Sequence, residues 1–315
     1  MIYHINILSV FFMFLCPANN NKKIFSVMKK MYIFLISALM LIGNFKAMAE
    51  NNSENKTQMN VATFNLRQDN PNDGDDAWPH RIQKVQGLIM YHDFDIFGTQ
   101  EGFKHQLDNI LELKGYAYIG HGRDDGEEAG EHSAIFYKKD RFEVLDKGDF
   151  WFSETPNTPG KGWDATCCNR ICSWGKFKDK ESNKVFYVFN AHYDHQGKVA
   201  RRESSHLLLK KIKEIAASGA PVFVTGDFNA VPTDEPIKII AADGLLSDSH
   251  EICETPRYGT EGTFSSFKLD APMKNRIDYI WVTKDVTVEK YAVLNDIQYG
   301  HFPSDHFPVV VKVEF

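Results

Sequence analysis

Cysteine is scarce in this chain and wrongly spaced for a metal. Five occur in 315 residues, at positions 16, 167, 168, 172 and 253. They form no C-x-x-C pair and no Cys/His quartet, which argues against a structural zinc. Negative charge is missing from the first 49 residues, which hold five Lys but no Asp, Glu or Arg. That segment also lacks a long apolar run, because INILSVFFMFL and YIFLISALMLIG both fall short of the roughly 20 residues that cross a bilayer. Beyond it, positive charge is in deficit. Residues 50–315 carry 36 − 5 = 31 basic against 42 acidic side chains, a net charge of −11 with His neutral. Such a balance disfavours non-specific attraction to a polyanion, though a bound cation can still supply positive charge locally. There is no internal repeat and no low-complexity segment.

What is present begins with a leader. From Met28, MKKMYIFLISALMLIGNFKAMAE has a basic start, an apolar middle and Ala47-Met48-Ala49 as an A-x-A cleavage site. Residues 1–49 are therefore expected to be a signal peptide with its true start at Met28, a single N-terminal anchor being the competing view. The mature chain is expected to be exported, periplasmic or secreted, with no membrane span and no protein partner. Export permits a disulfide, Cys167 or Cys168 with Cys172, a choice the sequence leaves open. Residues 50–58 read as a polar tether, and residues 59–315 as one domain.

Within that domain, apolar strands alternate with amphipathic helices. MNVATFN, DIFGTQE, SAIFYKK, RFEVLDKG, RICSWGKF, KVFYVFNAH, PVFVTGDFN, NRIDYIWV and FPVVVKVEF read as strands. RIQKVQGLIMYH, HQLDNILEL and RRESSHLLLKKIKEIAAS read as helices, the first with Ile82, Val85, Leu88 and Ile89 on one face. The mixture predicts an α/β domain with a two-sheet core and helices outside. Six stretches share a further feature. Each places a carboxylate, amide or imidazole where an apolar strand stops or starts: Asn65, Glu101, the His192-Tyr193-Asp194-His195 run, Asp227 with Asn229, Asp278, and Asp305-His306. Strand ends on one sheet edge converge in space. An oxygen-rich cluster with imidazoles beside it favours Mg2+ or Mn2+ over zinc, and so many buried acids would repel one another without a cation.

In this order, with GDFN at 226–229 and a terminal Ser304-Asp305-His306, the set resembles the endonuclease/exonuclease/phosphatase superfamily across essentially all of residues 59–315. The resemblance implies a DNase I-like four-layer α/β/β/α sandwich of two mixed β-sheets, with the site at one end. It also implies Glu101 as the main metal ligand, with Asn65 and Asp305 beside it. Asp227 would orient or deprotonate the attacking water, and Asn229 would hold that water or a phosphate oxygen. His306 would form a dyad with Asp278, and His192 would contact the phosphoryl group or aid the leaving oxygen. Between Asp227 and His306 the base is left open. GDFNAVPTDEPI followed by NRIDYI looks most like the poly(A)-shortening exonuclease branch and its bacterial relatives. That branch puts a nuclease-type phosphodiesterase first, acting on a phosphate ester that includes nucleic acid. A phosphatase or diesterase on a small sugar, nucleotide, inositol or lipid phosphate comes second, and a non-catalytic binding module third.

Trp163, Arg170 and Asp194 are candidates for substrate contact, with loop packing and a surface ion pair as the alternatives for Trp163 and Arg170. Glu131 and His132 read as a solvated approach to a strand, with a place bordering the cleft as the alternative, and Trp78 and Arg81 as helix-start packing. His80, His121, His206, His250 and His301 read as surface or structural. The run from Asn190 to His195 is superficially like the H-x-H-x-D-H zinc motif of metallo-β-lactamase-like hydrolases, but Asn190 stands where its first His belongs.

Overall fold

The computed structural model describes residues 56–315 together with Lys30 and Phe34, both helical. The chain divides into two units, residues 1–55 and 56–315. The expected leader and most of the expected tether lie outside the described residues. The tether's last residues belong to the fold, since Thr57 exchanges backbone hydrogen bonds with Phe315 at 2.9 and 3.1 Å, and the first strand opens at Gln58. No helix among the described residues is long and apolar enough to cross a membrane.

Twelve strands form two six-stranded mixed sheets. One sheet runs in the order β11 (Thr287–Val293), β12 (Val309–Glu314), β1 (Gln58–Asn65), β2 (Ile96–Gln100), β4 (Ile135–Lys138), β3 (Tyr116–Ile119). The other runs β5 (Phe142–Trp151), β6 (Ile171–Asp179), β7 (Val185–His192), β8 (Val222–Asp227), β10 (Asp278–Thr283), β9 (Leu246–Asp248). Each sheet has one parallel pair, β1 with β2 and β7 with β8. Helices α1 (Trp78–Tyr91) and α2 (Lys104–Leu111) pack on the first sheet through Val85, Leu88, Ile89, Leu107 and Ile110. Helices α3 (Lys198–Ile215) and α4 (Glu235–Asp243) pack on the second through Leu208, Leu209, Ile212, Ile237 and Ile240. A single-turn α5 (Ser249–Ile252) follows β9. The four-layer sandwich is the architecture expected.

Strand alternation positions the site. In β1, Ala62 and Phe64 face the helices, while Met59 and Val61 enter the core between the sheets. In β7, β8 and β10 the residues facing that inner core are Phe186 and Val188, Phe223, and Ile280 and Val282. Counting on by twos, the inner face carries Asn65, Gln100, His192 and Asp227 at the strand ends and Asp278 at a strand start. Registers bring these ends to one edge: Asn65 is opposite Gln100, and Asp227 is opposite both His192 and Asp278.

Just below that edge, the two sheets are joined by polar side chains. Asn190 donates to the carbonyls of Thr99 (2.8 Å) and Ala134 (2.9 Å), and its Oδ1 accepts from Gln100 (2.7 Å) and Thr225 (3.1 Å). The approach is so close that a Cβ at Gly98 would stand 2.3 Å from Asn190 Oδ1 and Thr225 Oγ1, which explains the glycine there. Asn190→Ala removes the donor to two buried carbonyls and the acceptor shared by Gln100 and Thr225. It is expected to cost about 3 kcal/mol in urea unfolding; a loss below about 1 kcal/mol would mean that the sheets do not depend on this link.

Candidate active site

The left-handed turn at Glu101 (φ 64°) ends β2 and sets the first carboxylate. Alternation would send Glu101 away from the inner face, but its oxygens meet Asn65 Nδ2 at 3.1 Å and the Gln68 N–H at 3.1 Å. A non-glycine residue in that conformation is strained, and such strain concentrates at functional sites. Asn65 is anchored by its Oδ1, which accepts from the Arg67 N–H at 2.9 Å. Its amide nitrogen therefore faces the acids, donating to Glu101 and, at 3.0 Å, to Asp227 Oδ2. The expected role of Asn65 as a metal ligand changes accordingly: in this arrangement it is the hydrogen-bond donor that holds two carboxylates together.

Asp227 is buried between two imidazoles, its Oδ2 lying 3.7 Å from His192 Nε2 and 3.9 Å from His306 Nε2. Its Oδ1 accepts from the Asn229 N–H at 2.9 Å, and Asn229, at φ 47°, turns its own amide onto the Tyr193 carbonyl at 3.1 Å. Burial and the neighbouring Asp278 charge push the Asp227 carboxyl up to about 7. The expected dyad is present, with His306 Nδ1 at 2.9 Å from Asp278 Oδ2, which also accepts from Thr263 Oγ at 2.6 Å. Burial alone would lower the His306 pKa, but the carboxylates of Asp278 and Asp227 outweigh it and hold the ring well above the usual histidine range. Asp305 is carried beside them, 4.0 Å from Arg67 Nε, and burial with the nearby Glu101 charge raises its carboxyl.

Arg81 ties these pieces down. It is fully buried, and its guanidinium donates to the carbonyls of Leu66 and Pro303 (2.7 Å each), Asp76 (2.6 Å) and Arg67 (3.1 Å). Helix-start packing is thus only part of its role, since it clamps the loop after Asn65 to the segment before Asp305. Sequence reasoning missed this because a lone Arg near a helix start is ordinarily solvated.

The other wall of the site is cationic. Arg170 is 5% exposed, with Nη1 2.8 Å from His192 Nε2 and Nη2 2.7 Å from His195 Nδ1. Asp194, expected as a substrate contact, is instead a positioning residue. Its Oδ1 accepts from the Gln196 and Gly197 N–H groups at 2.9 and 2.6 Å, and its Oδ2 lies 3.5 Å from Arg170 Nε. Trp163 is also placed differently: it packs against the core between the second sheet and its helices, the loop-packing alternative. Glu131 and His132 are buried rather than solvated. Glu131 meets Arg123 Nη1 at 2.5 Å and His192 Nδ1 at 3.8 Å, so Glu131 borders the site, the alternative to a solvated position, and Arg123 joins it unforeseen. Their only signal was charge on the approach to an apolar strand. Burial, then the charges of Arg170 and Arg123, keep His192 well below the usual histidine range, hence neutral at pH 7. The cysteines pair as Cys167–Cys168, because Cys172 faces the outer core from β6 and remains a buried thiol. His121, His250 and His301 pair with Asp149, Glu251 and Asp76.

The residues fit a hard divalent cation. Glu101, His192 and Asp227 offer donor atoms within 4.8 Å of one another, as do Asp227, Asp278 and His306. Asp305 stands outside both groups. Asp278 Oδ1 is buried without a hydrogen-bond partner, and two carboxyls are pushed up by burial and then by neighbouring acids, an arrangement that positive charge would relieve.

The His306 clamp has a pH consequence. A histidine raised on folding contributes stability that is complete below its unfolded value of about 6.5 and lost as pH rises through the folded value. In EDTA-treated protein, an NMR titration of the His306 ring is expected to show it protonated past neutrality, and Asp278→Asn to bring its midpoint down. A ring already neutral at pH 7 in the unsubstituted protein would contradict the clamp.

Comparison with known proteins agrees with this geometry. The family model described as "Endonuclease/Exonuclease/phosphatase family" matches residues 62–306. A solved mannosyl-6-phosphatase of Bacteroides thetaiotaomicron is 46% identical, with a TM-score of 0.78 over 82% of this chain and 100% of that one. A solved endonuclease/exonuclease/phosphatase protein of Bacteroides vulgatus is 38% identical, with a TM-score of 0.79 over 82% and 99%. The CCR4-Not complex 3'-5'-exoribonuclease subunit Ccr4 of Aspergillus niger is 26% identical over 76% of this chain, which spans about half (47%) of that subunit's length. With the strand-end acids, the His306–Asp278 dyad and the four-layer sandwich in place, the chain belongs to the endonuclease/exonuclease/phosphatase family of phosphoesterases.

Proposed function

We propose that this protein is an exported phosphomonoesterase, dependent on Mg2+ or Mn2+, that hydrolyses a phosphate carried by a small polyhydroxylated alcohol such as a sugar. The observation that carries this reading is the buried Arg170 guanidinium beside His192. Its Nη hydrogen bonds go to imidazoles, and its ion-pair partner among the described residues is Asp194, 3.5 Å from Nε. A terminal phosphoryl group brings about two negative charges where a diester brings one, and a desolvated guanidinium next to the acid cluster favours the former. The net charge of −11 over residues 50–315 works against a long polyanion. The 46% identity to a mannosyl-6-phosphatase supports the same choice over the nuclease-type diesterase that the GDFNAVPTDEPI signature put first. Export rests on the leader and its Ala47-Met48-Ala49 site.

Asp227, with a carboxyl near 7 and two imidazoles against it, takes the proton of the attacking water. The His306 imidazolium, fixed by Asp278, presents Nε2–H toward the phosphoryl oxygens. Neutral His192, oriented by Arg170, faces the same oxygens, while Asn229 keeps the Asp227 carboxylate aimed. A divalent cation held by Glu101 with Asp227 or Asp305 at its side would neutralise charge building on the phosphate.

In the full chain with Mg2+ or Mn2+, kcat/KM for a hexose 6-phosphate is expected to exceed that for bis-p-nitrophenyl phosphate or single-stranded RNA by about 100-fold or more. Asp227→Asn is expected to lower it by roughly 10²–10⁴-fold. Faster cleavage of RNA or of the diester would overturn the monoester reading.

A further inference from the structure

His195 takes no part in the chemistry above, yet its ring is fixed more tightly than an exposed histidine needs to be. It ends the His192-Tyr193-Asp194-His195 run and is exposed, while the Arg170 side chain that touches it is buried. Arg170 Nη2 lies 2.7 Å from His195 Nδ1. A guanidinium has no acceptor and keeps its proton in a protein, so Nδ1 must be the accepting nitrogen. The single N–H of the neutral ring is then on Nε2, which bonds to none of the described residues. Burial and the Arg170 charge lower the ring's pKa, so the neutral tautomer is the one present at pH 7. Asp194 closes the chain of support through its 3.5 Å contact with Arg170 Nε.

The position of that N–H relative to the reacting phosphorus follows from Arg170. One Nη reaches His192, which touches Asp227, and the other reaches His195. His195 is thus joined to His192 through one guanidinium, on the exposed side of Arg170. Next to it in the chain, Gln196 accepts from the Thr166 hydroxyl at 2.7 Å, which ties this turn to a polar loop.

We propose that His195 is a specificity-determining residue whose Nε2–H donates a hydrogen bond to a hydroxyl or ring oxygen of the substrate's alcohol portion, with Arg170 and Asp194 as the positioning residues that fix its tautomer. This deepens the phosphomonoesterase reading and rests on it for the class of alcohol. The histidine was left unassigned at the sequence level because its partner, Arg170, is 25 positions away and reaches it only through the fold.

The test compares a hydroxylated leaving group with one that has no hydroxyls, within each ester class. For monoesters the pair is mannose 6-phosphate and p-nitrophenyl phosphate; for diesters it is a dinucleotide and bis-p-nitrophenyl phosphate. The selectivity ratio, kcat/KM for the hydroxylated substrate over its aryl partner, is expected to fall about tenfold in His195→Ala, the effect of one hydrogen bond. His195→Gln, whose amide nitrogen reaches the Nε2 position, is expected to restore the ratio to within about threefold. Nitrogen-15 NMR of the unsubstituted protein is expected to show His195 as the Nε2–H tautomer. An unchanged ratio in His195→Ala, no recovery in His195→Gln, or an Nδ1–H tautomer would each overturn the inference. Better cleavage of the dinucleotide than of mannose 6-phosphate would sink the phosphomonoesterase reading alone, because the His195 ratio is then read from the diester pair.

Discussion

Strand register forces Asp227, Asp278 and His192 to one edge of the second sheet, and Glu101 and Asp305 face them from the first. Mutual repulsion of these buried acids is the constraint to which the rest of the site answers. An unpaired buried charge costs several kcal/mol, so each carboxylate needs a donor, a cation or a proton. The structure supplies all three. Glu101 takes the Gln68 N–H and the Asn65 amide, Asp278 takes the His306 imidazolium and the Thr263 hydroxyl, and Asp227 is pushed up toward neutral pH. Arg81, with no solvent exposure, holds the two loops that carry Asn65 and Asp305 in place. What remains unanswered, the Asp278 oxygen without a partner and the raised Asp305, is the part a divalent cation would meet.

The same constraint explains why so polar a site sits on so apolar a frame. The inner core beneath it is aliphatic and aromatic, from Val61 and Val311 to Phe186 and Phe223. Between core and site lies the Asn190, Gln100 and Thr225 layer, whose hydrogen bonds cross the gap between the sheets. That layer keeps the strand ends at a fixed separation while the chemistry above it changes charge. Asn190, which spoils the resemblance to a zinc-hydrolase motif, is therefore a joint between sheets and not a failed ligand.

The catalytic core was legible in the sequence because it is periodic. An apolar strand that stops at Asn65, at Glu101 or at Asp227 advertises its polar end, and repetition of that sign six times implied one shared edge. The strands missed were β3, β9 and β11, all at sheet edges. There YAYI is only four residues long, and TVEKYAV is broken by Glu289 and Lys290, so neither shows a sustained alternation. The cationic wall was legible only in part: Arg170 stood among the substrate candidates, whereas Arg123 and the burial of Glu131 were not foreseen. Arg123, Glu131 and Arg170 lie in loops, where burial is decided by the fold and not by local pattern. Trp163 was singled out by residue type and Asp194 by its place in the strand-end run; in the fold Trp163 packs on the outer core and Asp194 holds Arg170 and the following turn.

The claim on which the rest depends is that these strand ends form one cation cage. It is tested most directly by crystals of the protein soaked in Mn2+, read by anomalous scattering in parallel with Glu101→Gln crystals. One strong peak within coordination distance of Glu101, flanked by Asp227 or Asp305 and lost in the Glu101→Gln protein, is the expected result. A peak elsewhere with none at Glu101, or one undiminished by the substitution, would contradict it.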